Sequence, residues 1–282
     1  MPLAWVTGAG GLIGKYVVKT APPAWQALGL TRADLDITSL KDVSKVLSHA
    51  VPDAIIHCAA ISKNPVCDAN PAEAHSVNVQ GTQILFELAG DLDVPFVFIS
   101  SDLVFDGRRG SYSEEDQPNP LSVYAETKIK AEGIVRNLSA AGSGTIVRTS
   151  LNAGHSPTGD RAFNEEMRKA FEAGKTLNLF EDEFRCPIPA EITARAIWEI
   201  VGQPGIFHLC GTERLSRYEI GALIAENRRD LNPKIARGTL RDYKGSPRSP
   251  DTSMDCSKIQ AKLSFELPKF SDWVRQQPLG TL

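Results

Sequence analysis

The stretch that decides the fold is LAWVTGAGGLIG, residues 3–14, close to the start of the sequence. Leu3–Val6 is a short apolar run that favours a buried strand, and a helical pattern begins near Gly11. Glycines at 8, 11 and 14 each have a use in such a turn. One makes the tight bend, one lets backbone N–H groups approach a pyrophosphate, and one allows close helix–strand packing. The position between strand and helix therefore predicts a dinucleotide-binding turn.

The alternation of apolar runs and amphipathic stretches continues beyond this turn. Further strands are predicted to end near Leu28–Thr31 and to lie at Ala54–Ala59, Phe96–Ile99 and Thr145–Val147, with helices over Leu40–Ala50, Ala72–Gly90 and Val123–Leu138. Strands that are apolar throughout and separated by helices imply a parallel sheet covered on both faces. We therefore predict a doubly wound, Rossmann-type α/β domain over residues 1–150.

The rhythm of strands and helices changes beyond Ser150. Ile206–Cys210 is a further strand of the buried type, and we expect it to rejoin the main sheet. The sequence thus predicts that about 190–210 belongs to the NAD(P)-binding Rossmann domain. The remaining ranges, about 151–189 and 211–282, are predicted to form a smaller C-terminal substrate-binding lobe that faces the strand ends.

The composition sets limits on the kind of protein. The chain has 282 residues, 42% hydrophobic and 23% charged, and 31 basic against 34 acidic side chains give a net charge of −3. A globular core can form at this length without disulfides or metal. The lack of a basic surplus argues against nucleic-acid and membrane partners. Five scattered cysteines, no recognisable signal peptide and no transmembrane run predict a cytoplasmic protein, and no metal site is expected.

The residues after the second strand bear on which dinucleotide is bound. Asp34 satisfies the simple rule that an acidic residue about 20 positions beyond the glycines holds the ribose 2′-hydroxyl. Arg32, however, would lie at the strand tip, where a guanidinium can pair with a 2′-phosphate. We favour Arg32 and therefore NADP(H), with NAD(H) and a solvated surface arginine as the alternatives. Asp36 and Ile37 would then lie near the adenine.

Tyr124 and Lys128 form a candidate catalytic pair at the start of a predicted helix. Positions i and i+4 share a helix face, so phenol and ammonium can point into one site. A free tyrosine has a pKa of about 10, and the lysine cation with an oxidised nicotinamide would lower it. Ser101 ends a predicted parallel strand, where its hydroxyl could donate to a substrate oxygen. An exposed pair and a turn serine are the alternatives, and His57 is predicted to be a core histidine.

The chain resembles the extended short-chain dehydrogenase/reductases, and within them the dTDP-4-dehydrorhamnose reductase (RmlD-like) group. The matching strings are TGAGGLIG at 7–14, LDITSL at 35–40, HCAA at 57–60, NVQGT at 78–82, ISSDLVFDG at 99–107, SEEDQPNPLSVYAETKIKAE at 113–132, IVRTS at 146–150, GIFHLCGTERLSRYEIG at 205–221 and MDCSKI at 254–259. The resemblance covers nearly the whole chain. The same strings are similar to the regulatory beta subunit of methionine adenosyltransferase, whose role in this group is not catalytic.

The resemblance implies roles for the matching residues. Tyr124 would protonate the carbonyl oxygen as hydride arrives, Lys128 would contact the nicotinamide ribose, and Ser101 would replace the usual threonine that holds the oxygen. The implied cofactor contacts are Gly8, Gly11, Leu12, Ile13, Gly14, Ala59 and Ala60, together with Tyr124 and Lys128. The implied substrate contacts are Ser101, Asp102 and Val104, of which Val104 would wall the pocket.

The sequence departs from the family pattern in regions that line the sugar-nucleotide pocket of relatives, at Leu151–Gly154 and Arg248–Ser253. Asp102-Leu103 also lacks the Asp-Glu pair typical of dehydratases, which disfavours elimination chemistry. Arg185 and Arg248 are candidate partners of a substrate diphosphate, because guanidinium forks match phosphate geometry. Ordinary surface charge is the competing interpretation of these two arginines.

The expected activity is an NADPH-dependent reduction of a keto group on a nucleotide-activated deoxysugar. A sugar-nucleotide epimerase, in which the same three side chains first oxidise and then reduce, is one alternative. A non-catalytic NADP-binding regulatory subunit, like that of methionine adenosyltransferase, is the other. The expected partner is a small sugar-nucleotide substrate, and a homodimer is expected only as a feature of the family.

Overall fold

The computed structural model describes residues 1–137 and 144–282. The strands are β1 (Leu3–Thr7), β2 (Gln26–Leu30), β3 (Ala54–His57), β4 (Phe96–Ser101), β5 (Gly144–Thr149), β6 (Asn152–Ala153), β7 (Thr176–Phe180), β8 (Phe184–Arg185), β9 (Ile188–Pro189), β10 (Gly205–Leu209), β11 (Leu215–Ser216) and β12 (Lys234–Gly238). The α-helices are α1 (Leu12–Lys19), α2 (Leu40–Leu47), α3 (Asn64–Ala69), α4 (Pro71–His75), α5 (Gly81–Asp91), α6 (Val123–Asn137), α7 (Phe163–Glu172), α8 (Ala190–Glu199), α9 (Arg217–Asn227), α10 (Ser257–Gln260) and α11 (Phe270–Gln276). A π-helical turn, Ser76–Gln80, joins α4 to α5.

Six parallel strands form the central sheet, in the order β10-β5-β4-β3-β1-β2. In register, Val6 of β1 lies opposite Gly29 of β2 and Ile56 of β3. The predicted doubly wound α/β fold is confirmed, and β10 rejoins the sheet beside β5. The strand order reverses between β1 and β3, and open α/β sheets bind ligands above the carboxyl ends of strands at such a point.

Both faces of the sheet are buried under helices. Successive residues of a strand point to opposite sides, so each strand contributes side chains to two apolar clusters. Val6 and Val97 belong to a cluster that includes side chains of α1 and α8. Trp5 and Phe98 belong to a second cluster that includes side chains of α5 and α6. Burying a large apolar side chain contributes about 1.5–3 kcal/mol relative to leaving it exposed. The strands are apolar throughout for this reason.

A third apolar cluster lies outside the sheet, where α7, α9 and α11 contribute Phe163, Ile220 and Phe270. Beside it, β12 pairs in parallel with β7, and β11 pairs antiparallel with β8. Ile259 of α10 packs instead into the cluster formed with α1 and α8. The predicted division of the chain into two domains at residue 150 stays a prediction. Ile259, which was predicted to belong to the C-terminal lobe, packs against the sheet of the first domain.

Several predicted elements differ from those observed. The predicted helix over Ala72–Gly90 is present as α4, the π-helical turn and α5, which follow one another without a break. The predicted end of the helix over Val123–Leu138 lies outside the described residues, since α6 is described to residue 137. β12 and α11 were not predicted, because five to seven residues give too few repeats for a reliable period.

A buried ion pair joins α6 to β5. Arg148 donates from Nη2 and Nε to the two carboxylate oxygens of Glu132, at 2.7 and 2.9 Å, and neither side chain is more than 2% exposed. Ser100 donates its hydroxyl proton to the same carboxylate at 2.6 Å. His208 Nδ1 lies 3.0 Å from the carbonyl oxygen of Tyr112 and therefore carries the proton that it donates to this oxygen. The other ring nitrogen, Nε2, accepts from Arg148 Nη1 at 3.4 Å. Burial lowers the pKa of His208 to about 4, which keeps this ring neutral.

We expect Arg148→Met to lower the free energy of unfolding by up to about 3–5 kcal/mol, because the buried Glu132 loses its bidentate partner and keeps the longer contact to Arg136 Nη2 at 3.5 Å. The double variant Arg148→Met/Glu132→Leu should lose clearly less, since it buries no unpaired charge. Urea denaturation followed by circular dichroism measures both variants. Equal losses in the single and double variants would show that packing rather than charge sets the cost.

Candidate active site

The turn between β1 and α1 requires two of its glycines for steric reasons. Gly8 has a φ of +71°, and a Cβ added to it would lie 2.6 Å from the backbone nitrogen of Ala59. A Cβ added to Gly14 would lie 2.4 Å from the carbonyl oxygen of Gly8. Real Cβ atoms do not make contacts this short. The first turn of α1 therefore packs directly on the ends of β1 and β3.

Gly11 has a different role, because space is open beside it. Of the described atoms, one alone comes within 4 Å of a Cβ added there, the Gly8 carbonyl oxygen at 3.2 Å. Gly11 is the N-cap of α1 and offers no side chain to the first amides of the helix. The N–H groups of Leu12, Ile13 and Gly14 thus lack intrahelical acceptors. Amides in this position bind the pyrophosphate of dinucleotides, so the residues present fit such a cofactor.

A cavity of about 430 Å³ lies above the carboxyl ends of β1, β3 and β4, a volume typical of small-molecule sites. Of the predicted site residues, it is lined by Gly8, Gly11, Leu12, Ile13, Gly14, Ala60, Ser101, Asp102, Tyr124, Lys128, Arg185 and Arg248. The fold thus brings together the glycine turn, the end of β4, the first turns of α6 and parts of the chain beyond residue 150.

Tyr124, Lys128 and Ser101 meet on one wall of this cavity, and all three are less than a tenth exposed. Lys128 Nζ donates to the carbonyl oxygen of Ile99 at 2.8 Å and lies 5.9 Å from the centre of the Tyr124 ring. The Ser101 hydroxyl lies close enough to the Tyr124 phenol to lower its pKa, and Ser101 Oγ donates to Asp102 Oδ1 at 3.1 Å. The three side chains predicted to act together are therefore adjacent.

Burial determines the protonation states of this pair. It raises the pKa of the Tyr124 phenol well above its ordinary value, and the charge of Asp102 raises it further, although the hydrogen bond with Ser101 opposes both. Burial lowers the pKa of Lys128 to about 8. The sequence predicted that Lys128 and an oxidised nicotinamide would lower the pKa of Tyr124. In the protein without a cofactor, burial raises this pKa instead. Tyr124 keeps its proton, as a proton donor to a carbonyl oxygen must.

Two buried polar residues stabilise the walls beside this pair. Asn78, in the π-helical turn, accepts from the amide of Ile61 at 2.8 Å and donates to the carbonyl of Ile61 and the hydroxyl of Thr127, both at 3.0 Å. Asn78 thereby connects the loop after β3 to α6 near Tyr124 and Lys128. His57 contacts two threonine hydroxyls, and burial lowers its pKa to about 3, as expected of a core histidine.

The residues considered for the adenosine end lie outside the lining of the cavity. The Arg32 side chain is 85% exposed, and its Nη2 lies 3.8 Å from Glu73 Oε1. Asp34 Oδ2 accepts from the amide and hydroxyl of Thr31 at 2.9 and 2.6 Å, so this carboxylate stabilises the turn after β2. Asp36 accepts from the threonine two positions later in the same way. Of the two candidates for the ribose, Arg32 keeps the more accessible head group.

Three further predicted contacts are placed away from the cavity lining. Ile37 is buried among the side chains of the second sheet cluster. Ala59 packs beneath Gly8, so it supports the glycine turn from below. Val104 is fully buried with Phe105 in a separate cluster. The expectation that Val104 walls the pocket is wrong, because the short 3₁₀ turn over residues 102–104 directs this side chain into the core.

Arg185 and Arg248 do line the cavity, but one carboxylate holds both. Arg185 Nη2 lies 2.9 Å from Glu183 Oε1, and Arg248 donates to both oxygens of Glu183 at 2.6 and 2.9 Å. Burial would raise the pKa of the Glu183 carboxyl, but the two guanidinium groups hold it below its ordinary value. Sequence reasoning missed Glu183, although its i, i+2 spacing from Arg185 was a usable signal. It also missed Arg217, which lines the same wall.

Within 1–137 and 144–282, no three His, Cys, Asp or Glu side chains are grouped so that they could share a metal ion. The described helices include none with the length and apolar character that crossing a membrane requires.

The glycine turn, the buried tyrosine–lysine pair and the serine at the end of β4 define the class: an NAD(P)-dependent oxidoreductase of the extended short-chain dehydrogenase/reductase type. Comparison with known families agrees. The model described as the RmlD substrate binding domain matches residues 4–277. The chain belongs to this family, and the resemblance predicted from the sequence is confirmed.

Individual proteins show how far the similarity extends. A dTDP-4-dehydrorhamnose reductase of Sinorhizobium fredii is 30% identical over 287 residues, which cover 96% of this chain and 95% of the relative. The methionine adenosyltransferase 2 subunit beta of Rattus norvegicus is 28% identical over 274 residues, which cover 90% of this chain and 80% of the relative. The crystal structure of a dTDP-4-dehydrorhamnose reductase from Bacillus anthracis in complex with NADP shares the fold, with a TM-score of 0.87 at 22% identity over 97% of each chain.

We expect Gly11→Ala to weaken NADPH binding by at least about tenfold, because the new methyl group enters the space beside the pyrophosphate-binding amides. The φ of −93° at this position suits alanine, so the fold should be kept. Gly90→Ala is the matched control, since nothing lies within 4 Å of the added Cβ and Gly90 is in α5. It should leave binding unchanged and stabilise by about 0.5–1 kcal/mol. Fluorescence titration with NADPH decides, and unchanged affinity in Gly11→Ala would contradict the assignment.

Proposed function

We propose that the protein is an NADPH-dependent reductase of a keto group on a nucleotide-activated deoxysugar. The observation that carries this proposal is the adjacency of Tyr124, Lys128 and Ser101 in a buried cavity wall, beside the unsatisfied amides of α1. A substrate carbonyl between the phenol and the serine would lie at the carboxyl edge of the sheet, where ligands of this fold bind. The family relationship to a dTDP-4-dehydrorhamnose reductase supports the same substrate class.

The residues that would hold NADP(H) follow from the same geometry. The first amides of α1 would bind the pyrophosphate, and Gly11 leaves the space that this requires. Lys128 would contact the nicotinamide ribose, and Arg32 would bind the 2′-phosphate. The cofactor supplies the hydride when it is bound.

Tyr124 would donate the phenolic proton to the carbonyl oxygen. Ser101 would turn its hydroxyl proton from Asp102 Oδ1 to the same oxygen when substrate binds. Lys128 would stabilise the phenolate that is left, through a charge interaction strengthened by burial. The raised pKa of Tyr124 supports this direction, because reduction begins from a neutral phenol. An epimerase must first remove a proton from an alcohol, for which the phenolate would be needed.

Two alternatives to the reductase are a sugar-nucleotide epimerase and a non-catalytic regulatory subunit. The epimerase would turn over with no net change in the cofactor. The regulatory subunit is favoured by the similarity to methionine adenosyltransferase 2 subunit beta and would bind NADP(H) without turnover. The complete and buried trio of Tyr124, Lys128 and Ser101 favours the reductase. The cytoplasmic location and the homodimer are predictions that this function leaves open.

We expect the purified protein to oxidise NADPH stoichiometrically with a member of a panel of nucleotide-linked 4-keto sugars. Tyr124→Phe should lower kcat by about 10²–10⁴-fold, because the proton donor is lost, and NADPH binding should be kept. Tyr218→Phe, outside the cavity, is the matched control and should keep full activity. Turnover without net NADPH oxidation would favour the epimerase, and NADPH binding without turnover across the panel would favour the regulatory subunit.

Arg32→Ala should weaken the binding of NADPH at least about tenfold more than that of NADH, because NADH lacks the 2′-phosphate with which the guanidinium makes charge-assisted hydrogen bonds. Arg108→Ala removes an equally exposed arginine, 82% accessible and 3.5 Å from Asp106, and should affect neither cofactor. Equilibrium titrations with both cofactors provide the measurement. Equal weakening for NADPH and NADH would remove the phosphate role from Arg32.

A further inference from the structure

Arg217 differs from the other arginines of the cavity wall in its lack of a carboxylate partner. Arg185 and Arg248 share Glu183. Arg217 enters none of the ion pairs or side-chain hydrogen bonds found among residues 1–137 and 144–282. Its guanidinium carbon lies 5.8 Å from the centre of the Phe163 ring, another residue of the cavity wall.

The backbone holds Arg217 next to this cluster. It is the first residue of α9, and its N–H donates to the carbonyl oxygen of Glu183 at 2.8 Å. The side chain is half-buried, and burial lowers the pKa of Arg217 to about 10, so it stays cationic at neutral pH. A partly desolvated guanidinium is therefore fixed at the cavity wall. It feels the charges of Glu183 and Glu166, but among the described residues it forms no ion pair or side-chain hydrogen bond with either carboxylate.

The neighbouring arginines have less to offer to a ligand. Arg185 donates to Glu183, to the carbonyl of Phe184 at 2.6 Å and to the carbonyl of Ser249 at 3.0 Å. Arg248 has its bidentate pair with Glu183. A bound anion would have to compete with a buried carboxylate for either group, and breaking a buried pair is costly. Arg185 Nε also lies 3.8 Å from Asp102 Oδ2, so the three guanidinium groups face the carboxylates of Glu183 and Asp102 and keep a net positive charge.

We infer that Arg217 is the specificity-determining anchor for the diphosphate of the substrate, whereas Arg185 and Arg248 shape and charge the wall around it. This inference rests on the proposed function for the identity of the ligand. Arg217 gains a charge-assisted pair with a phosphate without giving up one that exists. The diphosphate role that the sequence suggested for Arg185 and Arg248 thus passes to a third arginine.

The test is calorimetric titration of the full chain with dTDP, inorganic pyrophosphate and thymidine as separate probes. Arg217→Met should weaken dTDP and pyrophosphate binding by about 10- to 100-fold and leave thymidine and NADPH binding unchanged. Arg217→Lys should bind dTDP with intermediate affinity, because the ammonium keeps the charge but loses the fork. Arg214→Met is the matched control: its guanidinium lies outside the cavity, 2.8 Å from Asp251, and dTDP affinity should change by less than about twofold.

Glu183→Gln should have the opposite effect and tighten dTDP binding, because it releases the charges of Arg185 and Arg248. If Arg217→Met fails to fold, Arg217→Lys carries the test. Unchanged dTDP affinity in the Arg217 variants, or no dTDP binding by the parent protein, would overturn the inference even if NADPH-dependent reduction is observed. An Arg217-dependent dTDP affinity without any reductase turnover would support the inference and count against the proposed reductase alone.

Discussion

The site depends on one steric constraint, the backbone contact between the ends of β1 and β3. Gly8 leaves β1 in a left-handed conformation that a side chain could not adopt there without striking Ala59. Gly14 then brings α1 down onto the carbonyl of Gly8. These contacts direct the free amides of α1 over the point where the strand order reverses. The hydroxyl at the end of β4 and the first turns of α6 reach the same crevice because all these strands run parallel.

The burial that stabilises the sheet also prepares the chemistry. A lysine ammonium is costly to desolvate, and Lys128 is compensated by the Ile99 carbonyl at 2.8 Å and the Phe98 ring at 4.6 Å. Burial acts in the opposite direction on the phenol of Tyr124 and keeps it protonated. In the proposed reaction, once the proton had left, the phenolate and the ammonium would attract each other strongly in the same poorly solvated space. Proton transfer would therefore be coupled to the relief of an unfavourable lone charge.

The sequence predicted the glycine turn and the adjacency of Tyr124 and Lys128, because each of these features is encoded locally, whereas the candidates for the adenosine end, Arg32, Asp36 and Ile37, lie outside the cavity lining. Glycine spacing indicates the turn, and the four-residue spacing of Tyr124 and Lys128 indicates a shared helix face. The raised pKa of Tyr124 could not be predicted, since burial depends on side chains far apart in the chain. The pairing of Glu183 with Arg248 spans 65 positions, and no local pattern encodes such a contact. Val104 was misplaced because a three-residue turn reverses the direction of a side chain.

The two sides of the cavity are built from different chemical groups, backbone atoms on one side and charged side chains on the other. On the cofactor side, the proposed function gives backbone amides and missing Cβ atoms the task of holding a pyrophosphate, and few residues can replace glycine there. Long charged side chains form the opposite wall, where one carboxylate, Glu183, changes the effective charge of two arginines.

Both departures from the family pattern reach this wall, since Leu151 and Arg248 line the cavity. Asp102 Oδ2 accepts hydroxyl protons from Ser150 at 2.9 Å and from Thr252 at 2.8 Å. Ser150 immediately precedes the first departing segment, and Thr252 lies within the second. Asp102 Oδ1 accepts from Ser101. Thr252 of the second departure and Ser101 thus share the carboxylate of Asp102, so in the proposed function substrate recognition and catalytic geometry would be linked through this one side chain.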